Sequence, residues 1–153
     1  MKLDMKLELK HLSPYLPYDL KCDIFFAQQS MGTCVWRIRT LDCFYLDKLK
    51  NNLEFIQPIL RPLSDFNKVI EVNGEKFIPI NYFYSMNSKE LNWEDKFQVQ
   101  RVTNALLKDV QSKQLPFRFI EKLYEWHFDI HGLIPNLAID INTLKQNNNG
   151  KTD

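Results

Sequence analysis

The sequence predicts an α+β fold, an N-terminal antiparallel β-sheet or meander packed against two C-terminal helices. Three observations carry that expectation. Apolar residues alternate with polar ones over 20–26 and 34–40, the period of a strand with one covered face. Asn73-Gly74 stands between two short β-rich runs, the pair that most readily takes the positive φ angles of a type I′ hairpin. From Phe97 to Val110, and again from Phe119 to Ile130, apolar residues recur at helical spacing.

Taken in order, residues 7–18 contain Pro14 and Pro17, which limit any helix because each removes an amide donor and restricts its predecessor. An irregular, packed lead-in is expected there. The first strand then places Leu20, Cys22, Ile24 and Phe26 on one side. Ser30, Gly32 and Thr33 signal a turn, after which Trp36 and Ile38 face opposite to Arg37 and Arg39; Phe44 to Leu46 is read as a third strand of a meander. Residues 58–65 hold two prolines and are expected to form a structured loop, in which Ser64 or Asp65 could cap a short helical turn. The hairpin at Asn73-Gly74 follows, with Pro79 restricting its second strand to an edge or an end.

Asn92 and Asp95 form an N-cap pattern for a helix reaching about Ser112. A second helix is expected to open at Pro116 and to stop at Gly132. Residues 137–141 alternate as a short strand. The organisation is therefore read as one domain over residues 1–145 with a flexible polar tail over 146–153.

Composition bounds the function. Hydrophobic residues make up 44% of the 153 residues and aromatics 13%, enough to build a core and too much for a disordered chain. The formal charge is +1, and no third of the chain is a strong polycation, so a large phosphate-tracking surface is not expected. Cys22, Cys34 and Cys43 lack metal or redox spacing and read as reduced thiols of a cytoplasmic protein. The first ten residues alternate charge and apolarity, unlike a signal peptide, and no run is long enough to span a bilayer.

Catalytic patterns are weak. His127 and His131 stand four apart, the spacing at which a helix can offer two imidazoles to zinc, but Phe128 occupies the place where a metalloprotease helix carries its general base. His127 falls on the apolar face and reads as a core or interface histidine. The four glycines stand alone, so no phosphate-cradling loop is present. No enzyme activity, cofactor or metal is expected. The contact candidates are Trp36, Arg37, Arg39, Phe44 and Tyr45, which combine charge with aromatic rings. The aromatic group of Phe117, Phe119, Tyr124, Trp126 and Phe128 covers more than one helix face and reads as mainly core.

The stretches LKHLSPYLPY, PILRPLSD, EKLYEWHFDIHGL and LAIDINTL together resemble a family of small proteins encoded in phages, prophages and mobile elements of gut-type and related bacteria. The resemblance covers both ends and the hairpin, while residues 20–55 and 81–115 look variable. It brings no catalytic residues. It implies a cytoplasmic protein of an infected or lysogenic cell, one that inhibits or modulates a host protein or ribonucleoprotein complex, such as an anti-CRISPR or other anti-defence factor. A small nucleic-acid-binding regulator and a phage structural or accessory protein are the alternatives.

Overall fold

The computed structural model describes residues 5–28, 33–85 and 91–149. The turn expected at Ser30 and Gly32, the side chain of Cys34 and the last four residues of the polar tail lie outside them. The chain combines an N-terminal antiparallel sheet with helices in the C-terminal half, as its patterning predicts. It divides into two compact units, one built from the residues up to Arg61 together with those from His131 onward, the other from Pro62–Ile130.

The first unit opens with a short helix, α1 (Leu9–Leu12), followed by a 3-10 helix over Ser13–Tyr18. The prolines act here as the sequence suggests: the α-helix is held to four residues and the tighter 3-10 winding takes over. Leu12 and Tyr15 are fully buried, which anchors the segment. Strand β1 (Lys21–Gln28) pairs antiparallel with β2 (Thr33–Thr40) on one side and with β3 (Ile56–Leu60) on the other. A two-residue strand, β6 (Ile139–Asp140), adds parallel to β3, so the sheet runs β2-β1-β3-β6.

Two expectations are corrected. Residues 44–46 are not a strand but part of helix α2 (Cys43–Leu49), because the Asp42 carboxylate caps it by accepting from the Tyr45 N–H at 3.0 Å. The third strand is instead β3, which takes in residues 58–60 of the segment read as a loop. Its residues Ile56, Ile59 and Leu60 are buried, and burial outweighs the local cost of a proline. Pro58 fits because it faces Cys22 across a pair whose backbone groups point away from β1, so the ladder between β1 and β3 loses no donor. The strand expected over 137–141 shortens to two residues, and α6 (Ile141–Asn149) continues into the segment read as tail.

The second unit begins with a 3-10 helix over Leu63–Asn67, in which Ser64 and Asp65 lie within the turn rather than capping it. The hairpin of β4 (Ile70–Val72) and β5 (Glu75–Phe77) follows, and Asn73 and Gly74 take φ values of 51° and 83°, as a type I′ turn requires. Pro79 does not end a strand; it opens helix α3 (Pro79–Ser85), where its missing N–H costs nothing. Helix α4 (Lys96–Gln111) starts at Asp95, whose carboxylate accepts from Phe97 and Gln98. Phe97, read as part of the apolar stripe, is exposed.

Helix α5 (Phe117–Glu125) is capped by Pro116 and stops seven residues before Gly132. His127 takes φ 59°, its N–H donates to Tyr124 O, and Phe128 N–H reaches back to Leu123 O at 2.9 Å. This left-handed cap brings the fully buried Phe128 and Leu123 into one core, a gain that offsets the strain of a non-glycine residue at positive φ. That core also holds Phe66, stacked on Phe83 at 5.2 Å, together with Ile70, Ile80, Val110, Phe119 and Trp126. Of the aromatic group read as mainly core, Phe119, Trp126 and Phe128 are buried, whereas Phe117 is exposed.

Candidate functional site

The five contact candidates fall on two elements of the first unit: Trp36, Arg37 and Arg39 on β2, Phe44 and Tyr45 on α2. A meander would have placed β2 in the middle of the sheet. In the observed order it is the outer strand, and among the described residues it pairs with β1 alone. Residues 36–39 are all exposed, so neither face of this strand is covered along that stretch.

The phase of the β1–β2 ladder fixes which backbone groups reach solvent. Leu41 N–H donates to Leu20 O at 2.7 Å, one step beyond the Lys21↔Thr40 pair, so Leu20 and Leu41 form a bonded pair. Bonded and non-bonded pairs alternate along an antiparallel ladder. Arg39 opposite Cys22 and Arg37 opposite Ile24 are therefore bonded pairs, whereas Ile38 opposite Asp23 and Trp36 opposite Phe25 are not. The N–H and C=O groups of Trp36 and Ile38 consequently point outward, away from β1. In keeping with this, the Ile38 carbonyl accepts from the Arg39 guanidinium at 3.0 Å.

Side chains divide by the same alternation. One face carries Trp36 against Phe25 at 5.2 Å, and Phe25 stacks on Phe55 at 5.3 Å, making a row of three rings flanked by Ile38 and Asp23. Burial pushes the Asp23 carboxyl above its ordinary range. Arg37 and Arg39 project from the opposite face together with Phe26, which meets Tyr45 of α2 edge-on at 6.0 Å; Tyr45 in turn meets Phe44 at 5.6 Å. Lys48 lies 6.0 Å above the Phe44 ring. Trp36, Ile38 and Phe44 are 42%, 48% and 67% exposed, large apolar side chains of one strand and the helix that follows it.

The sequence named Trp36, both arginines and the two α2 aromatics but not Phe25 or Phe55. Phe25 is legible as the outward partner in the alternation of β1. Phe55 is not, since nothing local joins residue 55 to a strand thirty residues earlier.

The other candidate chemistry is not assembled. His127 sits in the cap after α5 and His131 beyond it, so they do not share a helix face; His131 instead meets His11, with ring centroids 5.2 Å apart. His11 Nδ1 accepts from the Glu8 N–H at 3.0 Å, a capping role. Among the described residues, no group of three or more His, Cys, Asp or Glu side chains is gathered for a metal ion. Burial, with a smaller contribution from Asp23, pushes the Cys22 thiol up to about 12, opposite to what a nucleophile needs. In the second unit an open groove of about 1070 Å³ has Trp126, Phe77 and Tyr82 along its floor. Its Lys122 pairs with Glu125 at 2.7 Å and lies over the Tyr82 ring, so that rim charge is already answered.

No protein-family model, curated protein or solved structure matches the chain. Among the described residues no helix is long and apolar enough to cross a membrane.

Proposed function

We propose that this chain is a non-enzymatic binding protein that engages a host protein or ribonucleoprotein complex through β2 and the start of α2, and so inhibits or modulates it. The observation that carries the reading is the exposure of Trp36, Ile38 and Phe44 around an open sheet edge, with Arg37 and Arg39 exposed on the face of β2 opposite to Trp36 and Ile38. These side chains are already partly covered, so a partner that completes their burial gains roughly half of the 1.5–3 kcal/mol of a full burial for each. Trp and Arg are also the residues that most often dominate protein interfaces. The resemblance to phage- and prophage-encoded proteins supplies the setting, the cytoplasm of an infected cell, and the finer form of the proposal, an anti-CRISPR or other anti-defence factor.

A nucleic-acid regulator is less well supported by this surface. The row of three rings that would stack bases shares its face with Asp23 and Lys21, which leave it no net positive charge, while Arg37 and Arg39 lie on the other side. The test is a tagged pull-down from host lysate with and without nuclease, using the natural chain and a Trp36→Ala/Phe44→Ala variant. A protein complex that survives nuclease and is lost with the variant supports the proposal. Loss of every partner on nuclease treatment transfers the surface to nucleic acid, and recovery of the same complex by the variant refutes the assigned site.

A further inference from the structure

The exposed edge specifies more than a contact patch. Along β2 the outward backbone groups belong to Trp36 and Ile38, each with one donor and one acceptor, and their side chains lie on one face. Arg37 and Arg39, whose own backbone groups are used by β1, project from the other face. Neither arginine forms an ion pair among the described residues. We propose that β2 accepts an extended segment of the partner as an additional strand, and that this segment alternates acidic residues facing Arg37 and Arg39 with apolar residues facing Trp36 and Ile38.

Period and charge both select this occupant. An added strand has the same two-residue alternation as β2, so each of its side chains lands opposite a residue on the same face, about 4.5–5.5 Å away between Cβ atoms. Carboxylates opposite the arginines and aliphatic groups opposite Trp36 and Ile38 satisfy both faces at once, while the main chain supplies the affinity. Arg39 couples the two: its guanidinium now holds the Ile38 carbonyl, and a carboxylate that draws it away frees that acceptor for an incoming N–H.

Charge also separates this occupant from a second copy of the chain. Strand β2 itself reads TCVWRIRT and contains no acid. Two copies paired antiparallel about a two-fold axis set Arg37 against Arg37 or Arg39, or slide until Trp36 meets Trp36 and the arginines meet Val35 and Thr33; no register gives them a carboxylate.

This inference depends on the binding-protein reading above, and the experiment keeps the two apart. The probes are an octapeptide of alternating glutamate and valine and its lysine–valine counterpart, blocked at both ends and titrated against the full chain by amide-resolved NMR. The glutamate peptide should bind about tenfold more tightly, weaken with salt, and slow exchange of the Trp36 and Ile38 amides. Ile38→Pro, which removes an outward donor, should abolish that binding, and Arg37→Glu/Arg39→Glu should reverse the preference between the peptides. Equal binding of the two peptides, or unchanged binding by Ile38→Pro, overturns strand addition. So does a dimer, seen by sedimentation without peptide and dissolved by Ile38→Pro, which would assign the edge to a second copy. If the complex from host lysate is lost with Trp36→Ala/Phe44→Ala but kept by Ile38→Pro, strand addition fails while the binding function stands; if both variants keep it, both fail.

Discussion

Two neighbouring proline substitutions on β2 test the geometry on which the site depends. In Arg37→Pro the lost N–H is one that bonds Ile24 within the ladder, since Arg37 and Ile24 form a bonded pair. The substitution removes a net contribution of about 1 kcal/mol and leaves the Ile24 carbonyl without its donor, for a total of about 3 kcal/mol. In Ile38→Pro the lost N–H points to solvent. The cost is limited to some backbone strain and part of a side chain that is already half exposed, about 1 kcal/mol. Both substitutions follow residues that are already extended, so the restriction a proline places on its predecessor does not distinguish them.

The assay is urea unfolding of both variants. With a slope of about 2 kcal/mol per molar urea for a chain of this size, the midpoints should differ by about 1 M, Arg37→Pro being the lower. Amide exchange of the natural chain gives an independent reading: Val35, Arg37 and Arg39 should be protected, Trp36 and Ile38 should exchange freely. If Ile38→Pro is as damaging as Arg37→Pro, or if the protection pattern is inverted, the ladder phase is wrong and the outward edge described above does not exist.

Three further outcomes are expected. With Cys34 replaced by serine, a thiol reagent at pH 8 should modify the exposed Cys43 promptly and Cys22 only on unfolding, because a thiol held near 12 is about one part in ten thousand thiolate at that pH; rapid double labelling would contradict the burial of Cys22. Lys113 closes α4 at φ 58° on the surface, so Lys113→Gly should raise stability by about 0.5–1 kcal/mol in urea unfolding, and a loss of stability would argue against the left-handed cap. Asp23, with its pKa raised by burial, is held as the protonated acid more tightly in the folded chain than in the unfolded one. Its contribution therefore favours folding at low pH and is lost as pH rises from the ordinary carboxylate value of 3.8 through the raised one. Asp23→Asn should then be more stable than the natural chain at neutral pH and lose that advantage near pH 3, and an advantage that grows on acidification would refute the assigned cause.

Much of the architecture is legible where a local rule decides it. Asn73-Gly74 produces the hairpin because few other dipeptides take two positive φ angles cheaply, and Asp95 starts α4 because its carboxylate answers two N–H groups of the first turn. The strand character of β1 and β2 and the separation of Trp36 from the arginines follow from the alternation of side chains alone. Asp42 carried a similar cap signal for α2, but it competed with an apolar run that also suits a strand, and the cap prevailed. Strand order, by contrast, required distant pieces. Burial of Ile56, Ile59 and Leu60 overrode the proline in β3, which took the place beside β1 and left β2 at the edge. The end of α5 was decided in the same way, by Phe128 turning back into the core around Leu123 before Gly132 was reached. Residue types and periods thus determine which faces are apolar and which are charged; only the packing of segments far apart in the chain determines which strand is left without a neighbour, because the free energy of burying a central strand exceeds any local preference along it.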